Sequence, residues 1–119
     1  MLSKKYRFHS RGGVRYVYQK GKTIRTPKMS LIFVENTRKF TRVAVVVSKK
    51  VIKSAVGRNR IRRRMYEAIR LNFDNVPKGN DYIFVIYDKK IMSMPFEEIQ
   101  AMVNKIIDES KVCYNKENK

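Results

Sequence analysis

One cysteine, one histidine and ten acidic residues among 119 leave this chain short of the side chains that most metal and redox chemistry requires. With Cys113 alone there is no internal disulfide, and a lone Cys beside Val112 reads as a small packing residue without a redox role. A single histidine, His9, excludes familiar zinc sites, and without an orienting partner it reads as exposed, not as a general base. Two-metal phosphodiester cleavage needs several convergent carboxylates. Here Asp74, Asp81 and Asp88 are scattered at the ends of expected elements, and Glu67 stands isolated among arginines. The chain is therefore expected to hold neither a catalytic residue nor a metal. No apolar stretch approaches the ~18 residues of a spanning helix. The basic start Met1-Leu2-Ser3-Lys4-Lys5-Tyr6-Arg7 leads into no long apolar region, so no signal peptide is read and the expected location is the cytoplasm. There is no internal repeat and no low-complexity linker. The length suits one domain over residues 1–119, with a basic arm at 1–10 and a polar tail at 115–119.

What the chain does have is positive charge. Lys and Arg total 28 against the ten acids, a net +18 at pH 7 and a pI near 10.3. Self-repulsion at that charge opposes compaction, which makes a polyanionic partner the economical explanation. Nucleic acid leads; an acidic membrane surface competes, but neither expected core helix pairs a basic face with a large exposed apolar one.

The charge is concentrated between residues 49 and 64, where Lys49, Lys50, Lys53, Arg58, Arg60, Arg62, Arg63 and Arg64 occur with no acid among them. The same segment opens an amphipathic helix. Ile61, Met65, Ala68, Ile69 and Phe73 recur at three- and four-residue spacing, predicting a helix from Ala55 to about Phe73 with that stripe toward a core. Asn59, Arg63, Tyr66 and Arg70 fall on the far side, with Arg62 on one flank and Arg60 and Arg64 on the other, facing solvent or a ligand. Ser54 is the expected N-cap. An acid in the first turn would add about 0.3–1 kcal/mol through the helix dipole, yet only positive charge is present. An anionic ligand resolves that conflict, because helix-start N–H groups and guanidinium forks attract phosphate alike. Asn59 is the odd residue of the set: it either bonds a base edge, fixes a neighbouring arginine, or hydrogen-bonds locally near the helix start.

Elsewhere, Val14, Val17 and Tyr18 share a face at helical spacing and Gly21 suits a helix stop, so 13–20 is read as a short helix, although the alternation of Val14, Tyr16 and Tyr18 would also serve a strand. Leu31–Val34, Val43–Val47 and Tyr82–Tyr87 are β-branched and aromatic runs that read as strands. The run from Arg42 to Val47 lacks alternation and suggests an interior strand covered on both faces. Residues 35–40 are expected to be a hairpin loop. Phe96, Ile99, Met102, Val103, Ile106 and Ile107 mark a second core helix, with Glu97 and Glu98 in its first turn. The order helix, strands, basic helix, strand, helix gives the expected fold class: α+β, a two-layer α-β sandwich on a small mixed sheet.

Three stretches together resemble the protein subunit of bacterial ribonuclease P. The central one is Arg42-Val43-Ala44-Val45-Val46-Val47-Ser48-Lys49-Lys50 followed by Ala55-Val56-Gly57-Arg58-Asn59-Arg60-Ile61-Arg62-Arg63, which looks like that family's strand and basic helix. Val14, Val17 and Tyr18 before Gly21, and Asp81-Tyr82-Ile83-Phe84-Val85-Ile86, resemble its first helix and last strand. The likeness spans roughly residues 6–110. It implies a left-handed βαβ crossover, where general chirality rules favour a right-handed one. It also implies a subunit of an endoribonuclease that removes 5′ leaders from precursor tRNA, with catalysis by an RNA partner using Mg²⁺ and the protein present as a monomer. By the same resemblance Arg58, Asn59, Arg60, Arg62 and Arg63 would meet the catalytic RNA, Lys49, Lys50 and Lys53 would extend the patch, and Arg64 and Arg70 would add charge. Val14, Tyr18, Lys28, Ser30 and Ile32 would form the cleft for the single-stranded leader. The chain departs from the family pattern at Val14, Ile32, Tyr66 and Tyr87. Val14 stands where Phe is usual and Ile32 where some members have Tyr, so the cleft is expected to grip less through rings, each worth about 1–3 kcal/mol per stacked base. Tyr66 stands in place of an Arg, and Tyr87 where a basic residue is common. The main alternative is an RNA-binding module of another assembly, such as a ribosomal protein; a self-sufficient nuclease is a third.

The net charge yields a first prediction. Anions that bind the folded state should stabilise it by mass action, so sulfate should raise the melting midpoint above that in chloride at matched ionic strength. A midpoint indifferent to sulfate would contradict it.

Overall fold

The computed structural model describes residues 7, 11–36 and 41–117, with side chains described at 7, 14–36 and 41–112. His9 and most of the expected basic arm lie outside the described residues.

The fold is built on the strand β4 (Asn80–Ile86), whose mixture of aromatic and β-branched side chains is buried at nearly every position. It lies between β2 (Met29–Glu35), to which it pairs antiparallel, and β3 (Arg42–Val47), to which it pairs parallel. A short strand, β1 (Lys22–Arg25), joins β2 through a tight connection closed by Thr26, giving the order β1-β2-β4-β3. β1 escaped the sequence reading because Lys22-Thr23-Ile24-Arg25 offers a single apolar side chain.

Two expectations need correction. Residues 35–40 are not a hairpin loop: β2 and β3 do not pair, and β4 is inserted between them, although 37–40 themselves are outside the described residues. β3 is also not an interior strand but an edge. Its unbroken apolar run reports that both faces are covered, which is independent of how many strands lie beside it.

Alternation across the sheet divides the interior in two. Leu31, Phe33, Val43, Val45, Tyr82, Phe84 and Ile86 face α2 (Ala55–Leu71) and α3 (Phe96–Glu117), meeting Ile61, Met65, Ala68 and Ile69 of one helix and Ile99, Val103, Ile106 and Ile107 of the other. The expected α2 and α3 stripes are thus the observed core; Phe73 falls just beyond α2 in a 3-10 turn (Phe73–Asn75) and packs on the core's margin. The opposite face, Ile32, Ala44 and Ile83, is covered by α1 (Arg11–Lys20) through Val17. α1 is a helix, so the alternative of a strand at 13–20 is not realised. α3 runs on through Asn115 to Glu117, within the segment read as a polar tail.

Two local devices fix this arrangement. Gly21 brings the chain out of α1 directly against β2: a Cβ there would lie 2.5 Å from the Val17 carbonyl oxygen and 2.9 Å from that of Phe33. At the far end of the sheet Arg42 forks onto Asp81, Nε to Oδ1 at 2.9 Å and Nη2 to Oδ2 at 2.7 Å, while the Asn36 amide donates to Oδ1 at 2.7 Å. The bidentate bond raises the Arg42 pKa further above its ordinary value. Because the Asp81 side chain is only 5% exposed, removing its charge strands a cation in a poorly solvated place. Asp81→Asn should therefore cost about 3 kcal/mol in a urea unfolding titration, and a loss under 1 kcal/mol would show the pair to be incidental.

Candidate nucleic-acid interface

α2 begins at Ser54, whose hydroxyl accepts a hydrogen bond from the Gly57 N–H at 3.2 Å, the expected N-cap. No acid occupies its first turn. Instead Arg58 folds back, donating from Nη1 to the carbonyls of Ile52 (3.1 Å) and Lys53 (2.8 Å), which places a guanidinium beside the helix start.

The remaining arginines do not form one uniform surface. Arg64 is committed to structure, with Nη1 bonding the Ile91 carbonyl at 2.9 Å and Nη2 the Met94 carbonyl at 2.6 Å. Burial, and then the charge of Arg60, pull its pKa below the usual value. Arg60 gives one bond, Nε to the Met92 carbonyl at 2.9 Å. Together the two pin the 3-10 turn at Lys89–Met92 against α2. Arg70 pairs with Glu67 and is the largest cause holding that carboxylate well below its usual range, so the pair stays ionised and Arg70's charge is offset at any physiological pH. Arg62 donates to the Asn59 Oδ1 at 2.7 Å, so Asn59 is in contact with a neighbouring arginine, as one of its three readings has it. Arg63 is exposed and has no ion partner among the described residues.

Tyr66 is not on the solvent side, as its helical position suggested. It is 4% exposed, and its hydroxyl accepts the Val45 N–H at 3.2 Å on the open edge of β3. Burial raises its pKa. Helical periodicity locates the stripe that meets the sheet face; a phenol on the flank is long enough to reach around to the sheet edge, and that second buried surface carries no periodic signature.

Asn59, Arg62 and Arg63 stand on one wall of a cavity of about 830 Å³. Val45 and Val46 of β3 and Val14 of α1 form the other side, with Arg7 and Tyr66 between, and among the described residues no carboxylate contributes to the lining. The cleft residues expected from the sequence are only partly brought together. Val14 reaches this cavity, whereas Ile32 is 7% exposed in the cluster beneath α1 and offers little surface. Ser30 is buried on that same face, and its Oγ accepts a bond from the Tyr87 hydroxyl at 2.7 Å. Lys28 lies before β2 begins and is half-buried, its carbonyl accepting the Tyr87 N–H. Tyr18 and Tyr87 are both about half-exposed; burial and the nearby Tyr87 raise the Tyr18 pKa.

A second depression, of about 580 Å³, gathers Lys49, Lys50 and Lys53 with Lys89 and Lys90 over a floor of Val51, Ile52 and Met92. The last two lysines were not singled out in the sequence. Their adjacency after Asp88, which caps the turn by accepting the Lys90 N–H at 2.9 Å, is visible, but their distance from Lys49 along the chain hides the convergence.

A basic helix, a mixed sheet in this order and these two basic depressions invite comparison with known proteins. The family described as Ribonuclease P matches residues 2–111. The chain belongs to the ribonuclease P protein family. The ribonuclease P protein component of Thermoanaerobacter sp. (strain X514) is 35% identical over 106 residues, covering 89% of this chain and 84% of that protein. That of Finegoldia magna is 34% identical over 100 residues, covering 84% and 86%. Among solved structures, a Staphylococcus aureus RNase P protein mutant with defective mRNA degradation activity superposes with TM-score 0.80 at 23% identity, covering 91% of this chain and 90% of that one. The RNase P protein from Thermotoga maritima gives 0.78 at 22% identity, covering 87% and 96%. Membership is thus carried by sequence along nearly the whole chain, and the fold by structures too distant in sequence to say more. No helix among the described residues is long and apolar enough to cross a membrane.

The division of the arginines is testable in the free protein. Arg64→Ala removes two bonds from a guanidinium to carbonyls and should cost about 1–2 kcal/mol, whereas Arg63→Ala should change stability by less than about 0.5 kcal/mol. Thermal melts of the two variants should separate clearly, and equal midpoints would show that Arg64 is as free as Arg63.

Proposed function

We propose that this chain is the protein subunit of ribonuclease P, that it binds the catalytic RNA and the 5′ leader of precursor tRNA, and that it promotes leader removal without supplying a catalytic group. The observation that carries this reading is the cavity beside α2, where a guanidinium wall faces an apolar wall along a sheet edge with no carboxylate among the described residues to compete for the cations. Arginine forks match phosphate geometry and lose less freedom per bond than lysines do, which suits a surface that must hold RNA backbone in one register. Arg62 and Arg63 are assigned the closest RNA contacts. Asn59 holds Arg62, and Arg58 adds charge at the helix start. The five lysines of the second depression are assigned looser phosphate contacts, as mobile point charges.

Val14 and the half-exposed Tyr18 are assigned to contacts with the leader, and Tyr87, braced on Ser30, is assigned a second ring contact. Lys28 is assigned a contact to the leader backbone, and Ile32 supports these residues from the cluster beneath α1. Three of the acids are engaged elsewhere: Asp81 by Arg42, Asp88 by the Lys90 N–H and Glu67 by Arg70. That engagement supports assigning the chemistry to the RNA with Mg²⁺. The protein's contribution is then electrostatic and positional: each phosphate it neutralises releases counterions, so binding should weaken with salt by a log–log slope of about 0.7–0.9 per contact.

The test is 5′ processing of a precursor tRNA at low Mg²⁺ by the protein alone, the catalytic RNA of the same organism alone, and the two combined. Cleavage should be strong only in the mixture, and Arg62→Ala with Arg63→Ala should lower it by about tenfold or more, the equivalent of one lost charge-assisted contact or better. Cleavage by the protein alone, or no gain on adding it to the RNA, would overturn the reading.

A further inference from the structure

Arg7 is the one residue of the N-terminal arm that the structure describes, and it lies in the candidate interface. Its backbone bridges in parallel to Val43 on the open edge of β3. Its guanidinium carbon lies 5.6 Å from the centroid of the Tyr66 ring, within cation–π range. Its Nε is buried and has no hydrogen-bond partner among the described residues. It lines the same 830 Å³ cavity as Asn59, Arg62 and Arg63.

We propose that Arg7 is a phosphate-binding residue of this site, and that Tyr66 is its positioning residue. A guanidinium held over a ring by its charge keeps N–H donors for whatever occupies the cavity that it lines. Three guanidinium groups around one cavity, with no carboxylate among its described lining residues, repel one another, and an anion shared among them removes that cost. Tyr66 acts twice. Its ring holds the Arg7 cation, and its hydroxyl holds Val45, two residues along the strand from the Val43 bridge on which the Arg7 backbone rests. The side chain that interrupts the arginine series of α2 therefore does not leave a gap in the charge; it brings in a cation from the arm.

The inference rests on RNA binding at this cavity, and the experiment separates the two. Binding of the catalytic RNA of the same organism is measured across a salt series for the intact protein and for its variants. Arg7→Ala should weaken binding several-fold and reduce the log–log salt slope by about 0.7–0.9, the loss of one phosphate contact. Tyr66→Phe keeps the ring, so it should keep that contact while lowering the melting midpoint through the orphaned Val45 N–H. Tyr66→Leu should reproduce the slope of Arg7→Ala, and combining it with Arg7→Ala should reduce the slope no further. An unchanged slope in Arg7→Ala, with a reduced slope in Arg62→Ala and Arg63→Ala, overturns the proposal and leaves RNA binding standing. Unchanged slopes in all three remove the RNA-binding reading and the proposal with it.

Discussion

Everything in this molecule is arranged around the placement of β4 between an antiparallel and a parallel neighbour. A strand paired on both edges and covered on both faces has to satisfy all its backbone groups within the sheet. β4 does so with Tyr82, Phe84 and Ile86 turned to the main core and Ile83 turned to α1. Its parallel pairing with β3 requires a long crossover, and that crossover is α2. The most basic helix of the chain is therefore also the one that closes the sheet. Its apolar side is bound to the core and its N-terminus is delivered to the rim of the sheet, beside the edge of β3.

That location makes the arginines serve two purposes. A stretch read along the chain as a uniform polyanion surface is split by its surroundings: Arg64 and part of Arg60 hold the turn after β4, Arg70 is neutralised within its own helix, and Arg62 and Arg63 are left to face the cavity. The bonds to the carbonyls of Ile91, Met92 and Met94 keep the guanidinium charge while giving it a structural role, and they carry Lys89 and Lys90 to within reach of Lys49, Lys50 and Lys53. Cations engaged by carbonyls and cations that line the cavity are thus interleaved at intervals of one or two residues along one helix.

The open edge of β3 shows the same economy. An exposed strand edge invites pairing with other chains. Here Tyr66 satisfies Val45 and Arg7 bridges Val43, and both side chains belong to the lining of the cavity. Protecting the edge and building the site are one arrangement, so a change at Tyr66 acts on stability and on the cavity together.

The helical stripes of α2 and α3, the apolar runs of three strands, the Ser54 cap and the basic character of α2 were all legible in the residues, because each depends on neighbours within a turn or two of the chain. The stretches resembling the ribonuclease P protein subunit pointed to the family that residues 2–111 match. Strand order was not legible: nothing in residues 35–40 announces that β4, some forty residues later, will enter between β2 and β3. β1 was hidden by its polarity, and Tyr66 by a burial that comes from the sheet edge and not from the helix's own core stripe. Local spacing by itself determined which faces of the helices are apolar and where the charge is concentrated. Which arginines remain available, and which distant lysines and rings join them, was decided only by tertiary structure, because hydrogen bonds from α2 to the carbonyls of residues 91–94 depend on contacts between segments about thirty residues apart.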